Sequence, residues 1–311
     1  MIIDVVVDDE EQEIEIPPQE YWIEKDRDRM IILWLAVDRV ANLVKEQYSK
    51  VINDIEKEVY RYYGKNFAGG LPKYSNVKVT ELIKKLKPSI DTVYNAQQKI
   101  LNTHLIDMYT TNYLKSLYDI QSGTKVYSNF PKPTETDIEK VLKFPWSGIN
   151  YRDRIEANNN KTISDLRQEI TKGMIRGDDV KTISDNVASK LNVSSKNAQN
   201  MVQTESGAMF SESDKATYEE FGINEYEFVA TLDARTTLIC RELDGEVFPV
   251  SEMQAGENAP AMHTRCRSST IPSFNDSVGD KIARNIKNGK SEYISGEITY
   301  NAWIVKYGDF F

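Results

Sequence analysis

Two cysteines and two histidines are all that 311 residues contain, and this scarcity excludes several classes of protein at once. Two thiols cannot staple a chain of this length, so a disulfide scaffold is excluded and reduced thiols in a cytosolic setting are expected. No apolar run approaches the ~18 residues of a membrane span. The longest candidate, IILWLAV at 31–37, is short and is followed by Asp38. The first residues carry acids where a secretory leader would carry bases, so no leader is expected. Positive charge is lacking too: the net charge is −9, against a globally basic nucleic-acid binder driven by counterion release. Residues 1–30 hold eleven acids and three bases, a local net of −8, which leaves the other 281 residues near neutral at −1.

What the chain does have is helical periodicity and clear punctuation. Residues 1–20 alternate apolar and acidic side chains and end at Pro17-Pro18, which reads as an arm that pairs or docks onto something else. From Gln19 to Tyr63 the apolar residues recur near a 3.6 period. Residues 77–86 and 89–120 read as two helices interrupted near Pro88, with His104 packed on an apolar face. Pro145-Trp146-Ser147-Gly148 reads as a turn between helical layers. Three further helices are expected at 162–176, 178–191 and 195–221, closed by Gly177 and Gly222, with Asp178 or Asp179 and Ser194 or Ser195 as N-caps. The basic stretch 281–290 reads as a solvated face, and Trp303 and Ile304 are expected to pack back on the body.

Both cysteines and one histidine fall in the stretch 231–272, so thiol or soft-metal chemistry has to sit there. An apolar run at 226–232, a turn at Asp244-Gly245 and a return at 247–250 read as a β-hairpin. His263 and Cys266 flank Thr264-Arg265, a spacing that lets one tight turn point an imidazole and a thiolate at a shared point. Together with Cys240 they offer the nitrogen and sulfur ligands that tetrahedral zinc takes, with Asp233, Glu242 or Asp244 as a fourth ligand. Two other readings of the same residues stay open: buried cysteines beside a loop-tying histidine, and a Cys-His nucleophilic pair.

The residues LDARTTLICRELDGEVF followed by APAMHTRCRSS resemble the signature of the bacteriophage head-morphogenesis family, the Mu F-like minor head proteins, which include minor capsid proteins of siphoviruses of Gram-positive hosts. Asp233, Arg235, Thr236, Cys240, Leu243, Asp244, Gly245, Pro260, His263, Cys266 and Arg267 fit that pattern. Ala259-Pro260 stands where many relatives carry Pro-Pro, and Thr237 or Ser268 stands where some carry a further cysteine. Stretches around 145–179 and 201–223, YWIEKDRDRM at 21–30 and ITYNAWIVKYG at 298–308 extend the resemblance in patches. By analogy with a similar Thr-Glu in the family, Glu205 is expected to face the Cys/His module near Arg235 or Arg267. Asp233 and Arg235 are expected to be structural, the carboxylate accepting backbone N–H bonds and the guanidinium forking onto the facing loop.

The expected fold is mainly α with a small C-terminal α+β module: an elongated helical body followed by a compact β-hairpin domain holding Cys240, His263 and Cys266. The expected segments are an acidic arm (1–20), two helical regions (21–145 and 146–222), the Cys/His module (223–275) and a tail packing back (276–311). The resemblance implies a non-enzymatic minor head protein, assembled in the bacterial host cytoplasm and carried inside the virion head. Its implied partners are the portal protein, the inner capsid and packaged double-stranded DNA, with no membrane; zinc, as cofactor, is offered by the Cys240, His263 and Cys266 spacing and not by the resemblance. A zinc-stabilised nucleic-acid-binding protein using Arg265, Arg267 and 281–290 is the alternative class, and a thiol- or zinc-dependent enzyme with Glu242 or Asp233 as base is another.

Overall fold

A computed structural model describes residues 2–7, 10–67, 73–127, 130–233, 235–274 and 292–293. It is mainly helical, with a small antiparallel sheet beside the Cys/His group, as the sequence leads one to expect. Strands β1 (Ile2–Val7) and β2 (Glu10–Glu15) pair with each other, Ile2 opposite Glu15. The expected arm is therefore paired within itself, and Ile16, just before the two prolines, is buried in the core. Helix α1 (Gln19–Phe67) follows, its buried residues Trp22, Asp26, Met30, Leu33, Val37, Ala41, Val44, Tyr48, Ile52, Ile55, Val59 and Tyr62 recurring every three or four positions.

Helix α2 (Asn76–Thr124) corrects the expectation of a break at Pro88, since it runs through that residue uninterrupted. Pro88 lies on the exposed side of the helix, so the carbonyl one turn back that loses its donor can be hydrated. Leu82, Ile83, Leu86, Ile90 and Val93 keep one buried stripe in phase on both sides of it. After β3 (Val126–Tyr127), helix α3 (Glu135–Lys143) starts on Thr134, whose side chain accepts from the Asp137 N–H. Helix α4 (Tyr151–Arg176) starts earlier than expected, capped by Asn150, and ends at Gly177 in the left-handed conformation.

Helix α5 (Val180–Phe221) replaces two expected helices, and its first turn is capped by Asp179, which accepts from the Thr182 N–H at 2.9 Å. Ser194 and Ser195 are interior residues, not caps: Ser194 returns its hydroxyl to the Lys190 carbonyl and joins Thr162 at 2.9 Å. Beyond it come β4 (Glu225–Val229), α6 (Leu238–Leu243), β5 (Val247–Pro249) and β6 (Ser269–Ser273), with strand order β5-β4-β6. A two-residue strand, β7 (Glu292–Tyr293), pairs with β3. Residues 281–290, Trp303 and Ile304 lie outside the described residues. Among the described residues no helix is long and apolar enough to cross a membrane.

The chain forms two compact units, 1–36, 105–148 and 203–311 in one, 37–104 and 149–202 in the other. The segments read from the sequence run consecutively, whereas each unit draws on separated stretches because α1, α2 and α5 contribute to both. The second unit is a helical layer tied by buried polar contacts: Tyr48 donates to Gln97 at 3.0 Å, and Tyr94 and Thr162 share a hydrogen bond of 2.7 Å. In the first unit the sheet packs its Tyr226 and Ile271 with Trp22 of α1, Tyr113, Leu117 and Ile120 of α2 and Tyr218 of α5 in one core cluster. That core also encloses charge. Arg29 bridges Asp26 at 2.8 Å and Asp214 at 3.2 Å, Asn112 donates to Asp214 at 2.9 Å, and Ser269 donates to Asp26 at 2.5 Å, so three helices and β6 are held by one buried network.

Candidate metal centre

Strand β4 alternates as a half-buried strand must, with Tyr226 and Phe228 buried and Glu225, Glu227 and Val229 partly covered. Its antiparallel pairing with β5 sets Tyr226 opposite Phe248. The connection is not a tight hairpin, because α6 intervenes before the chain turns back. Leu243 to Glu246 then forms a type II turn: Asp244 has φ −61° and ψ 121°, Gly245 has φ +80°, and Glu246 N–H donates to the Leu243 carbonyl at 3.0 Å. The third turn position requires a positive φ, so glycine belongs there. Asp244 is structural as well: its Oδ1 accepts the Ala230 N–H at 2.8 Å, beside the Gly245 N–H on the Phe228 carbonyl at 2.9 Å.

Short α6 buries one residue, Cys240, against Phe228, Ala230, Ala261 and Cys266. From the other side, a tight turn closed by the Cys266 N–H on the His263 carbonyl at 3.1 Å carries the second thiol and the imidazole. Helix α5 holds this turn in place. Thr204 Oγ1 accepts the Arg265 N–H at 3.2 Å, and a Cβ on Gly207 would stand 3.4 Å from the Ala261 Cβ and 3.7 Å from the Cys266 carbonyl. The result is the convergence expected from the spacing. Cys240 Sγ lies 3.3 Å from His263 Nε2 and 3.8 Å from Cys266 Sγ, and the three ligand atoms all fall within 4.8 Å of one another.

These lengths can be compared with a metal's requirements. Tetrahedral zinc with bonds of about 2.3 Å to sulfur and 2.0–2.1 Å to nitrogen sets S···S edges near 3.8 Å and S···N edges near 3.6 Å. The observed 3.8 Å and 3.3 Å are close to both. The imidazole is also oriented for the task. His263 Nδ1 contacts the Thr264 carbonyl at 2.9 Å, and a carbonyl can only accept, so Nδ1 carries the proton and Nε2 presents its lone pair to the thiols. Burial pushes the Cys266 thiol up, partly offset by hydrogen bonds from the backbone of Met262 and Ser268. The two cysteines are free thiols. Cys240, His263 and Cys266 thus lie close enough to bind a metal ion.

Neither Asp233 nor Asp244, both expected as fourth ligands, joins the group, and among the described residues neither does Glu242. Asp244 is bound to Ala230, and both oxygens of Asp233 are taken by the Arg267 guanidinium, Oδ1 to Nη2 and Oδ2 to Nη1, each at 2.7 Å. The forked guanidinium in this loop is thus that of Arg267, whereas Arg235 was expected to fork onto the facing loop. Arg235 instead has a side chain 79% exposed and reaches Asp233 at 3.6 Å, while its backbone N–H donates to Asp233 Oδ1 at 2.7 Å. Arg267, then the Arg235 N–H, hold the Asp233 carboxyl well below the usual carboxylate range. Arg241 adds a contact to the Asp233 carbonyl at 3.3 Å, and Thr236 folds the loop by hydrogen bonding to the Thr231 carbonyl.

Glu205 is another correction. It is buried on α5 next to Thr204 and accepts from Trp146 Nε1 at 3.0 Å, and Trp146 packs against the cluster of Cys240 and Cys266, so Glu205 faces the module through Trp146 where Arg235 or Arg267 was expected. The sequence reading also missed the network of Asp26, Arg29 and Asp214. A signal was present, since Asp26 and Arg29 sit on the same three-and-four spacing as Trp22, Met30 and Leu33, where a solvated charge does not belong. His104 is packed as expected, and burial lowers it to about 4.

Comparison with known proteins adds a family. The family described as phage Mu protein F like protein matches residues 164–271, roughly a third of the chain and the part that contains Cys240, His263 and Cys266. An uncharacterized protein of Haemophilus influenzae (strain ATCC 51907 / DSM 11121 / KW20 / Rd) is 21% identical over 250 residues, covering 78% of this chain. The chain spans about half the length of that relative, 54% of it. No solved structure matches it.

Proposed function

We propose that this chain, whose residues 164–271 are phage Mu protein F like, is a minor head protein of a tailed bacteriophage. In this reading it sits inside the virion head, bound to the portal protein and the inner capsid wall, and serves head assembly and genome packaging and ejection. The observation that carries it is the convergence of Cys240, His263 and Cys266 inside the matched segment. Long helices offer extended faces for contact, and a net charge of −8 over residues 1–30 favours a complementary protein surface over phosphate, making DNA a secondary partner. The work is contact rather than turnover.

The test is co-expression of the full chain with the portal protein of the same genome, and separately its incubation with double-stranded DNA at moderate salt. Co-purification with portal, and the presence of the chain in purified heads, is the expected result. Tight DNA binding with no portal or capsid association would reverse the order of partners.

Zinc on Cys240, His263 and Cys266 is part of the same reading, supported by the two separations from Cys240, which are close to tetrahedral edges, and by all three ligand atoms lying within 4.8 Å of one another. Metal binding free energy is local folding free energy. Chelation should therefore expose amides of α6 and of residues 260–268 to hydrogen exchange while 37–104 stays protected. Purified protein with reduced thiols and no zinc would leave the cysteines a packing role only.

A further inference from the structure

Among the described residues the centre has three protein ligands, and the space where a fourth would stand has its own character. A cavity of about 20 Å³ opens beside Cys240 and His263, lined further by Thr231, Arg235, Thr236, Arg265, Arg267 and Ser268. That volume holds one water-sized oxygen. Its lining includes Arg235, Arg265 and Arg267 and no acidic residue, in a chain whose net charge is −9. Asp233, outside that lining, forks onto Arg267 and reaches Arg235 at 3.6 Å.

Zinc held by two thiolates and a neutral imidazole has no net charge. The arginines therefore set the sign of the potential at the open position, and they favour an anion. Arg265 is held there at a conformational cost. It has φ +62°, a left-handed backbone that a non-glycine residue rarely adopts, pinned by Thr204 Oγ1. We propose that the open coordination position beside Cys240 and His263 takes a phosphate oxygen, gripped by Arg235 and Arg265. This rests on the zinc assignment above. Phosphate suits the site because one oxygen can meet the metal while the others accept from planar guanidiniums. The centre is then a ligand-binding site and not only a clasp for the module.

The experiment uses the full chain loaded with cobalt(II) in place of zinc, whose visible bands report ligand exchange. Inorganic phosphate is titrated at constant ionic strength, with chloride as the control. A saturable shift of the bands is expected, and replacing Arg235→Gln together with Arg265→Gln should weaken it by about tenfold or more with cobalt stoichiometry unchanged. If the double variant fails to take up cobalt, Arg235→Gln alone serves, since that side chain is exposed and should still weaken phosphate. A short DNA duplex in a parallel titration separates the sources. A shift with inorganic phosphate alone makes the ligand a free or terminal phosphate, and a shift with the duplex as well makes it a phosphodiester. Stoichiometric cobalt with bands unmoved by either probe overturns the proposal and leaves zinc in place, whereas absence of cobalt uptake overturns both.

Discussion

At the scale of single residues, Asp233 decides how the loop over the centre is held. Three arginines approach it, but only Arg267 makes the two-pronged contact, and an ammonium cannot reproduce it. Arg267→Lys should lower the melting temperature of the purified protein, while Arg235→Lys, at a 79% exposed side chain, should leave it unchanged. Equal melting curves for the two variants would count against the fork as the clamp. From the sequence, Arg235 reads as the clamp on the facing loop, and nothing local singles out Arg267, 34 residues from Asp233. Which arginine wins is set by the loop crossing between Thr231 and the Arg267 carbonyl, a tertiary fact. The convergence of Cys240, His263 and Cys266 was legible for the opposite reason: cysteine and histidine are so rare in this chain that their clustering carries information without any knowledge of register.

At the scale of elements, burial overrides local punctuation. Pro88 and the Ser194-Ser195 pair look like helix boundaries, yet α2 and α5 pass through them, because buried stripes on both sides hold one helical phase. Caps with a glycine or an Asx side chain were readable at Gly177, Gly222 and Asp179, where the apolar pattern ends as well. The reading of α2 has a measurable consequence. If Pro88 sits inside a continuous helix, Pro88→Ala restores a donor for the carbonyl four residues back and should stabilise the protein by about 1–3 kcal/mol in denaturant unfolding. A destabilised variant would argue for a real break there.

At the scale of the whole molecule, the two units should answer acid in opposite directions. In the unit holding residues 105–148 and 203–274, burial raises Asp214 to about 6 and Asp119 to about 7, and raises Asp26 as well, against the opposing pull of Arg29. A carboxyl raised above its unfolded value of 3.8 keeps its proton longer when folded, so that unit loses stability as pH rises through 4 to 7 and regains it on acidification. His104, at the end of the other unit, has the reverse sign. Lowered from 6.5 to about 4, it is forced to stay neutral while the unfolded chain takes a proton, which costs about 2 kcal/mol by pH 5. Hydrogen exchange corrected for intrinsic rates should show peptides of 79–104 losing protection between pH 7 and pH 5 relative to peptides of 207–221. Parallel loss in both would contradict these assignments, and His104→Gln should abolish the acid loss in the first group.

The shared core has a further meaning for how such a gene could be rearranged. The matched stretch 164–271 leaves out Trp22, Tyr113, Leu114, Leu117 and Ile120, which share one core cluster with Tyr226 and Ile271 of the sheet. A recombination joint on either side of that stretch would hand its recipient the Cys/His loop without the wall it leans on. The heritable unit of exchange is therefore set by α1 and α2 as much as by the cysteines.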